Sequence, residues 1–97
     1  MTQRVIEKWK IDEVRRYLED RFAEHEIDNF PRGNQTAHLF RVLKKNPKGE
    51  REVVHQLLIT KKFFDRITEP LALRQALIAG EVVLRMIRLR DRTVELH

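Results

Sequence analysis

The 97-residue sequence predicts a small single α+β domain spanning residues 1–97, with the element order (β)-α-β-β-α-β. In this reading a central antiparallel hairpin packs against one amphipathic and one mostly apolar helix. Three observations predict it. Apolar residues recur at three- and four-residue steps near the N-terminus, the stripe of a helix facing a core. Two apolar, partly β-branched runs flank Asn46-Pro47-Lys48-Gly49, which has the composition of a hairpin turn. From Pro70 to Leu89 the chain is dominated by Leu, Ala, Ile and Val, as in a more deeply covered helix. A chain of this size hides only about 60–65% of its unfolded surface, so one thin core is expected.

The first helix is expected over residues 12–26. Ile11, Val14, Leu18 and Phe22 form its buried stripe, Asp12 its N-cap, and Arg15 with Glu19 and Arg16 with Asp20 its ion-paired outer face. At about 100° per residue, Val5 and Trp9 point away from that stripe. A break near Lys10 with a short strand at residues 4–9 is favoured; the alternative is a Trp9 that faces a partner. Residues 28–36 are rich in Asp, Asn, Pro and Gly and read as a loop. Phe30 and Arg32 make this loop a candidate binding site, with Phe30 equally suited to stapling the loop onto the helix.

A hairpin is expected over residues 37–60. Pro47 presets φ and Gly49 takes the left-handed position, giving a three-residue turn in which Asn46 faces Glu50. That register sets Lys44 opposite Glu52, Leu43 opposite Val53 and Val42 opposite Val54. One face then carries Ala37, Leu39, Leu43, Val53, Leu57 and Ile59 with Arg41 and His55, and the other carries His38, Phe40, Val42, Val54 and Leu58. Phe63, Phe64 and Ile67 fit one helical turn, with a third strand as the alternative. Pro70 then opens a helix running to Leu89. Its polar residues Arg74, Glu81, Arg85 and Arg88 fall in a sector of about 60°, so more than one side needs cover. A stripe of small residues, Ala72, Ala76, Ala79, Gly80 and Val83, admits a close neighbour. Glycine inside a helix costs about 1 kcal/mol relative to alanine, so Gly80 reads as a mark of close packing. The tail, residues 92–96, alternates like an edge strand.

Composition narrows the chemistry. The chain has neither cysteine nor serine, which removes disulfides, thiolates and a serine nucleophile. It has no apolar run of membrane-spanning length and no signal-like N-terminus, so a cytoplasmic protein without membrane contact is expected. His25, His38, His55 and His97 show no metal-ligand spacing, and the register puts His38 and His55 on opposite faces of the hairpin. Glu24, His25, Glu26 and Asp28 are raw material for acid–base chemistry and also the ordinary content of an exposed helix end. Without a phosphate-binding loop or a nucleophile the reading is non-enzymatic, with no cofactor, metal or small-molecule ligand.

Charge is distributed unevenly. Residues 1–30 hold six Lys/Arg against eight Asp/Glu, residues 31–66 nine against three, and residues 67–97 five against four, so the middle third carries the excess of the net +5. Arg41, Lys44, Lys45, Lys48, Arg51, Lys61 and Lys62 are therefore the candidate contacts to nucleic acid or another polyanion. Lysines also guard a hairpin against edge-to-edge aggregation, and Glu50 and Glu52 dilute the tip. The tip Asn46-Pro47-Lys48-Gly49 resembles the basic arms of histone-like architectural proteins over those four residues alone, and the element order differs, so nothing is carried over. The expected function is a homodimeric binding module using the basic hairpin. The alternative is a protein–protein assembly module whose interface comprises Trp9, Ala72, Ala76, Ala79, Gly80 and Val83.

Overall fold

The computed structural model describes residues 6–90 and 92–97. Its elements are α1 (Lys8–Arg21), β1 (Glu26–Arg32), β2 (Ala37–Lys45), β3 (Arg51–Thr60), α2 (Lys61–Asp65), α3 (Pro70–Ala79), α4 (Val82–Leu89) and β4 (Thr93–Leu96). The class is α+β, as expected, with a four-stranded mixed sheet in the order β1-β2-β3-β4. The first three strands are antiparallel neighbours and β4 joins β3 in parallel.

One core gathers residues from every layer. Val14, Tyr17 and Leu18 of α1, Leu73 and Leu77 of α3, and Val82 and Met86 of α4 meet Phe40, Val42, Leu57, Ile59, Val94 and Leu96 on one face of the sheet. The turn 61–65 adds Phe64, capped by the Thr60 hydroxyl, which accepts the Phe63 N–H at 3.3 Å. Ala37, Leu39 and Leu43 are also buried, but outside this cluster, on the opposite face.

The structure departs from the sequence reading at four places. The first helix begins at Lys8 rather than Asp12, so Asp12 lies inside it, and Lys8 and Trp9 are helical instead of extended. Residues 4 and 5 of the expected strand lie outside the described residues. The longer helix is accommodated because Lys10, not an apolar residue, takes the core position one turn before Val14. Lys10 is 4% exposed and its ammonium donates to the Phe64 carbonyl at 2.7 Å.

The second departure is β1, where a loop was expected over residues 28–36. Pro31 and Asp28-Asn29 are poor strand formers, yet an edge strand tolerates them because one row of its backbone groups needs no partner. Only Gly33–Thr36 turn, with Gly33, Asn34 and Gln35 all at positive φ.

The third is a bulge. The register is as expected at the tip, with Lys44 paired to Glu52 and Leu43 to Val53, but Val42 pairs with His55, leaving Val54 as the extra residue. Beyond the bulge every β3 side chain changes face. Phe40 therefore shares the core face with Leu57, and His55 joins His38 on it.

The fourth is the C-terminal helix, which is two helices. Gly80 closes α3 and Glu81 adopts φ 51°, turning the chain before α4. A Cβ on Gly80 would meet the Ala76 carbonyl of its own helix at 3.2 Å, so this glycine marks a helix end and not a partner's approach.

Candidate functional site

The basic hairpin is built from its turn outward. The Gly49 N–H donates to the Asn46 carbonyl at 2.9 Å with Gly49 at φ 82°, and the Asn46 N–H donates to the Glu50 carbonyl at 2.8 Å. The Asn46 side-chain oxygen accepts the N–H groups of Lys48 and Glu50, both at 2.9 Å, which holds the three-residue loop rigid. β1 pairs only as far as Leu43, and β4 only from Gln56 onward. Residues 44–52 therefore run past the four-stranded region as a two-stranded ribbon, on a body measuring 47 × 29 × 20 Å.

The seven expected cations do not form one patch. Lys44, Lys45 and Lys48 stand exposed on the ribbon and, among the described residues, make no ion pair. Arg51 is held by Glu26, Nε to Oε2 at 3.0 Å. Lys61 pairs with Asp65 at 2.6 Å, and it lies with Lys62 at the far end of β3. Nine strand steps put that end about 30 Å from the start of β3. Arg41 sits between these groups on the sheet face turned away from the helices. Its guanidinium binds Asp28 twice, Nε to Oδ1 at 2.8 Å and a terminal nitrogen to Oδ2 at 2.5 Å. That carboxylate raises the Arg41 pKa, so the cation is fixed in both charge and orientation.

Around Arg41 the exposed sheet face has a chemistry that the sequence did not reveal. Asp28, Phe30 and Arg32 of β1 point to this face with Leu39 and Arg41 of β2, Gln56 and Leu58 of β3, and Thr93 and Glu95 of β4. Two guanidinium groups stand over the Phe30 ring, Arg41 at 4.9 Å and Arg32 at 5.3 Å from its centroid. Beside it Arg32, Leu39, Gln56, Leu58, Thr93 and Glu95 line an open depression of about 270 Å³. Phe30 and Arg32 were legible as a candidate pair. Their cross-strand neighbours were not, because they depend on β1 being a strand.

The expected interface residues disperse. Trp9 is half-buried against the core, and its indole N–H donates to Glu7 at 2.8 Å, so it does not face outward as an apolar anchor. Ala76 and Val83 also pack on the core, Gly80 ends α3, and Ala72 and Ala79 are exposed. The large apolar side chains exposed on these helices are instead Leu71 (65%), Ile78 (51%), Leu84 (51%), Ile87 (48%) and Leu89 (38%). Next to it Tyr17, Arg21, Ile78, Glu81, Val83 and Leu84 line a groove.

The histidines serve the fold. His38 is buried and its Nε2 donates to the Asn29 side-chain oxygen at 2.8 Å, while the His55 and His25 rings pack on Phe22 at 5.2 and 5.9 Å. Four strand steps separate the levels of His38 and His55, about 13 Å, so sharing a face does not make them joint ligands. Among the described residues no group of three His, Asp or Glu is arranged to hold a metal ion.

Burial lowers the pKa of His38 and of His55 below the ordinary 6.5, with the His25 and Arg90 charges acting in the same direction on His55 and the Met86 carbonyl opposing. The unfolded chain therefore binds these protons more readily. Stability is fully present above about pH 6.5 and is lost as pH falls through the lower folded values. Urea midpoints measured from pH 8 down to pH 5 should decline, and His38→Gln with His55→Gln should flatten that decline. An unchanged slope in the double variant would place the titration elsewhere.

Comparison with family models, with curated proteins and with solved structures returns no match. Among the described residues no helix is long and apolar enough to cross a membrane.

Proposed function

We propose that this chain is a non-enzymatic, cytoplasmic binding module that contacts the phosphate backbone of nucleic acid through the β2–β3 ribbon. The observation that carries the reading is the state of Lys44, Lys45 and Lys48. They are exposed on an element that projects past the sheet and, among the described residues, none of the three is held in an ion pair, although Glu52 stands opposite Lys44 in the ladder. Ammonium groups on flexible stems suit phosphates as point charges, giving affinity that is salt-dependent and nearly indifferent to sequence. Arg51 is held by Glu26 and Lys61 by Asp65, and Lys61 and Lys62 lie at the far end of β3, off the ribbon.

A homodimer through α3 and α4 is the second part of the reading. It is favoured by the five large aliphatic side chains left in solvent on those helices, which a second copy would cover. One experiment addresses both parts: binding of a short mixed-sequence DNA duplex across a salt series, with light scattering on the same samples. Replacing Lys44, Lys45 and Lys48 together by Gln should lower the slope of log affinity against log salt by about 3. The free protein should elute at twice its chain mass, and Ile78→Glu with Leu84→Glu should halve that mass. An unchanged salt slope would reject the ribbon, and a monomer at all concentrations would reject the helical interface.

A further inference from the structure

The exposed sheet face is unusual for a surface that only needs to be soluble. A solvated face of an antiparallel sheet ordinarily alternates polar residues outward. Here Phe30, Leu39, Leu43 and Leu58 lie on it, and Leu39 and Leu43 are buried by their own neighbours on that face. The Phe30 ring packs against the Arg32 and Arg41 guanidinium groups, and Asp28 clamps Arg41 on two atoms, so that guanidinium presents a fixed plane beside the ring. Such planes suit flat, π-rich ligands.

The charges on the face favour one class of ligand. Asp28 is taken by Arg41 and Glu26 by Arg51, which leaves Glu95, 3.3 Å from the His97 ring, as the acid on the depression's wall. Arg32 and Lys45 keep their charges without an acid partner among the described residues, and they mark the two ends of the path. Arg32 is level with Ala37, so eight strand steps separate them, about 27 Å. An aromatic platform between cations matches alternating bases and phosphates that are both accessible, which a single strand offers and a duplex does not.

We infer that the open sheet face around Phe30 binds single-stranded nucleic acid, one base stacking against the Phe30–Arg32–Arg41 cluster beside the Arg32–Gln56–Thr93 depression while the strand runs toward Lys45 and the ribbon. The inference rests on the ribbon reading for its phosphate contacts and adds a preference for unpaired bases. Gln56 and Thr93 supply hydrogen-bonding groups at the rim of the depression, and the Leu39 and Leu58 side chains supply its apolar floor.

The test uses the full chain with a short mixed-sequence single strand and its duplex, titrated against wild type, Phe30→Leu and the ribbon variant with Lys44, Lys45 and Lys48 replaced by Gln. Removing one base stack is expected to weaken single-strand binding about tenfold or more. Duplex binding should be untouched by Phe30→Leu, while the ribbon variant should weaken both. A second variant, Phe30→Trp, keeps the stacking surface, so it should retain single-strand affinity and show its own fluorescence quenched on binding. This holds the inference falsifiable if Phe30→Leu folds poorly. Duplex and single strand bound alike, with Phe30→Leu silent and no quenching, would overturn the sheet-face inference and leave the ribbon standing. Loss of single-strand binding in Phe30→Leu with a silent ribbon variant would support the sheet face and overturn the ribbon. Binding of neither probe would overturn both. Conversion of a dimer to a monomer by Phe30→Leu would overturn the inference by assigning the face to a second copy.

Discussion

Phe40→Ala should lower the unfolding free energy by about 3–5 kcal/mol, the largest loss expected from a single side chain here. Phe40 is fully buried at the middle of β2, where the central strand pair meets the helices, and its neighbour across the ladder is Leu57, also fully buried. The surrounding backbone is a hydrogen-bonded sheet that cannot collapse into the space left by a ring, so the cavity penalty adds to the lost transfer free energy. Domains of this length unfold at a cost of about 5–15 kcal/mol, so the variant should stand near the edge of folding. The informative comparison is Leu39→Ala. Leu39 is 3% exposed, close to Phe40, but it lies on the face without helices. Its loss should fall near the lower end for such truncations, about 2 kcal/mol, because neighbouring side chains at an open surface can close over the gap. Equal losses in urea titrations of the two variants would contradict the assignment of the two faces.

That assignment was only partly legible in the residues. Asn46-Pro47-Lys48-Gly49 determined the turn and the first pairs of the ladder, because a glycine at positive φ and an Asn that accepts two backbone N–H groups leave few other geometries. The bulge at Val54 was not legible. Val53 and Val54 are chemically alike, and nothing local distinguishes the residue that pairs from the one that is skipped. A one-residue slip moved Leu57 and Ile59 from the face of Leu39 to the face of Phe40. β1 was hidden for a related reason. Its fitness as a strand depends on a non-local neighbour, with Asp28 opposite Arg41 and Phe30 opposite Leu39, while its own composition argues for a loop. The candidate site inherits both failures. The ribbon lysines could be read from sequence because a turn is local, whereas the Phe30–Arg41–Asp28 grouping exists only once two strands are in register.

The C-terminal segment teaches the complementary lesson. Its nearly unbroken apolar girth suggested one helix needing cover on several sides. In the structure the Gly80-Glu81 break redirects the chain, so α3 buries Leu73 and Leu77, and α4 buries Val82 and Met86, on the same core. The large apolar residues that remain outside, Leu71, Ile78, Leu84, Ile87 and Leu89, keep the argument for a partner alive at different positions from the small-residue stripe.

Lys10→Ala is expected to cost about 2–3 kcal/mol, a large effect for a lysine, whose substitution is usually nearly neutral on a surface. Lys10 is 4% exposed, its ammonium donates to the Phe64 carbonyl at 2.7 Å, and it lies 3.3 Å from Glu7. The Phe64 carbonyl belongs to the turn 61–65, whose ring is fully buried, so truncation removes a charge-assisted hydrogen bond and the packed stem, while the carbonyl keeps the Ile67 N–H at 3.0 Å. The Glu7 ion pair contributes little, since that carboxylate is 60% exposed and screened by water. Its pKa is held below the ordinary range first by the Trp9 N–H and then by Lys10. Three variants separate these contributions. Lys10→Met keeps the packed stem and loses the head, Lys10→Ala loses both, and Glu7→Gln weakens only the ion pair. The expected order of destabilisation is Lys10→Ala, then Lys10→Met, then Glu7→Gln near zero. If Lys10→Met matched or exceeded wild type in denaturant titrations, the apolar stem and not the hydrogen bond to α2 would be what holds α1 against the turn. The buried charge would then be a burden the fold carries rather than a tie it depends on.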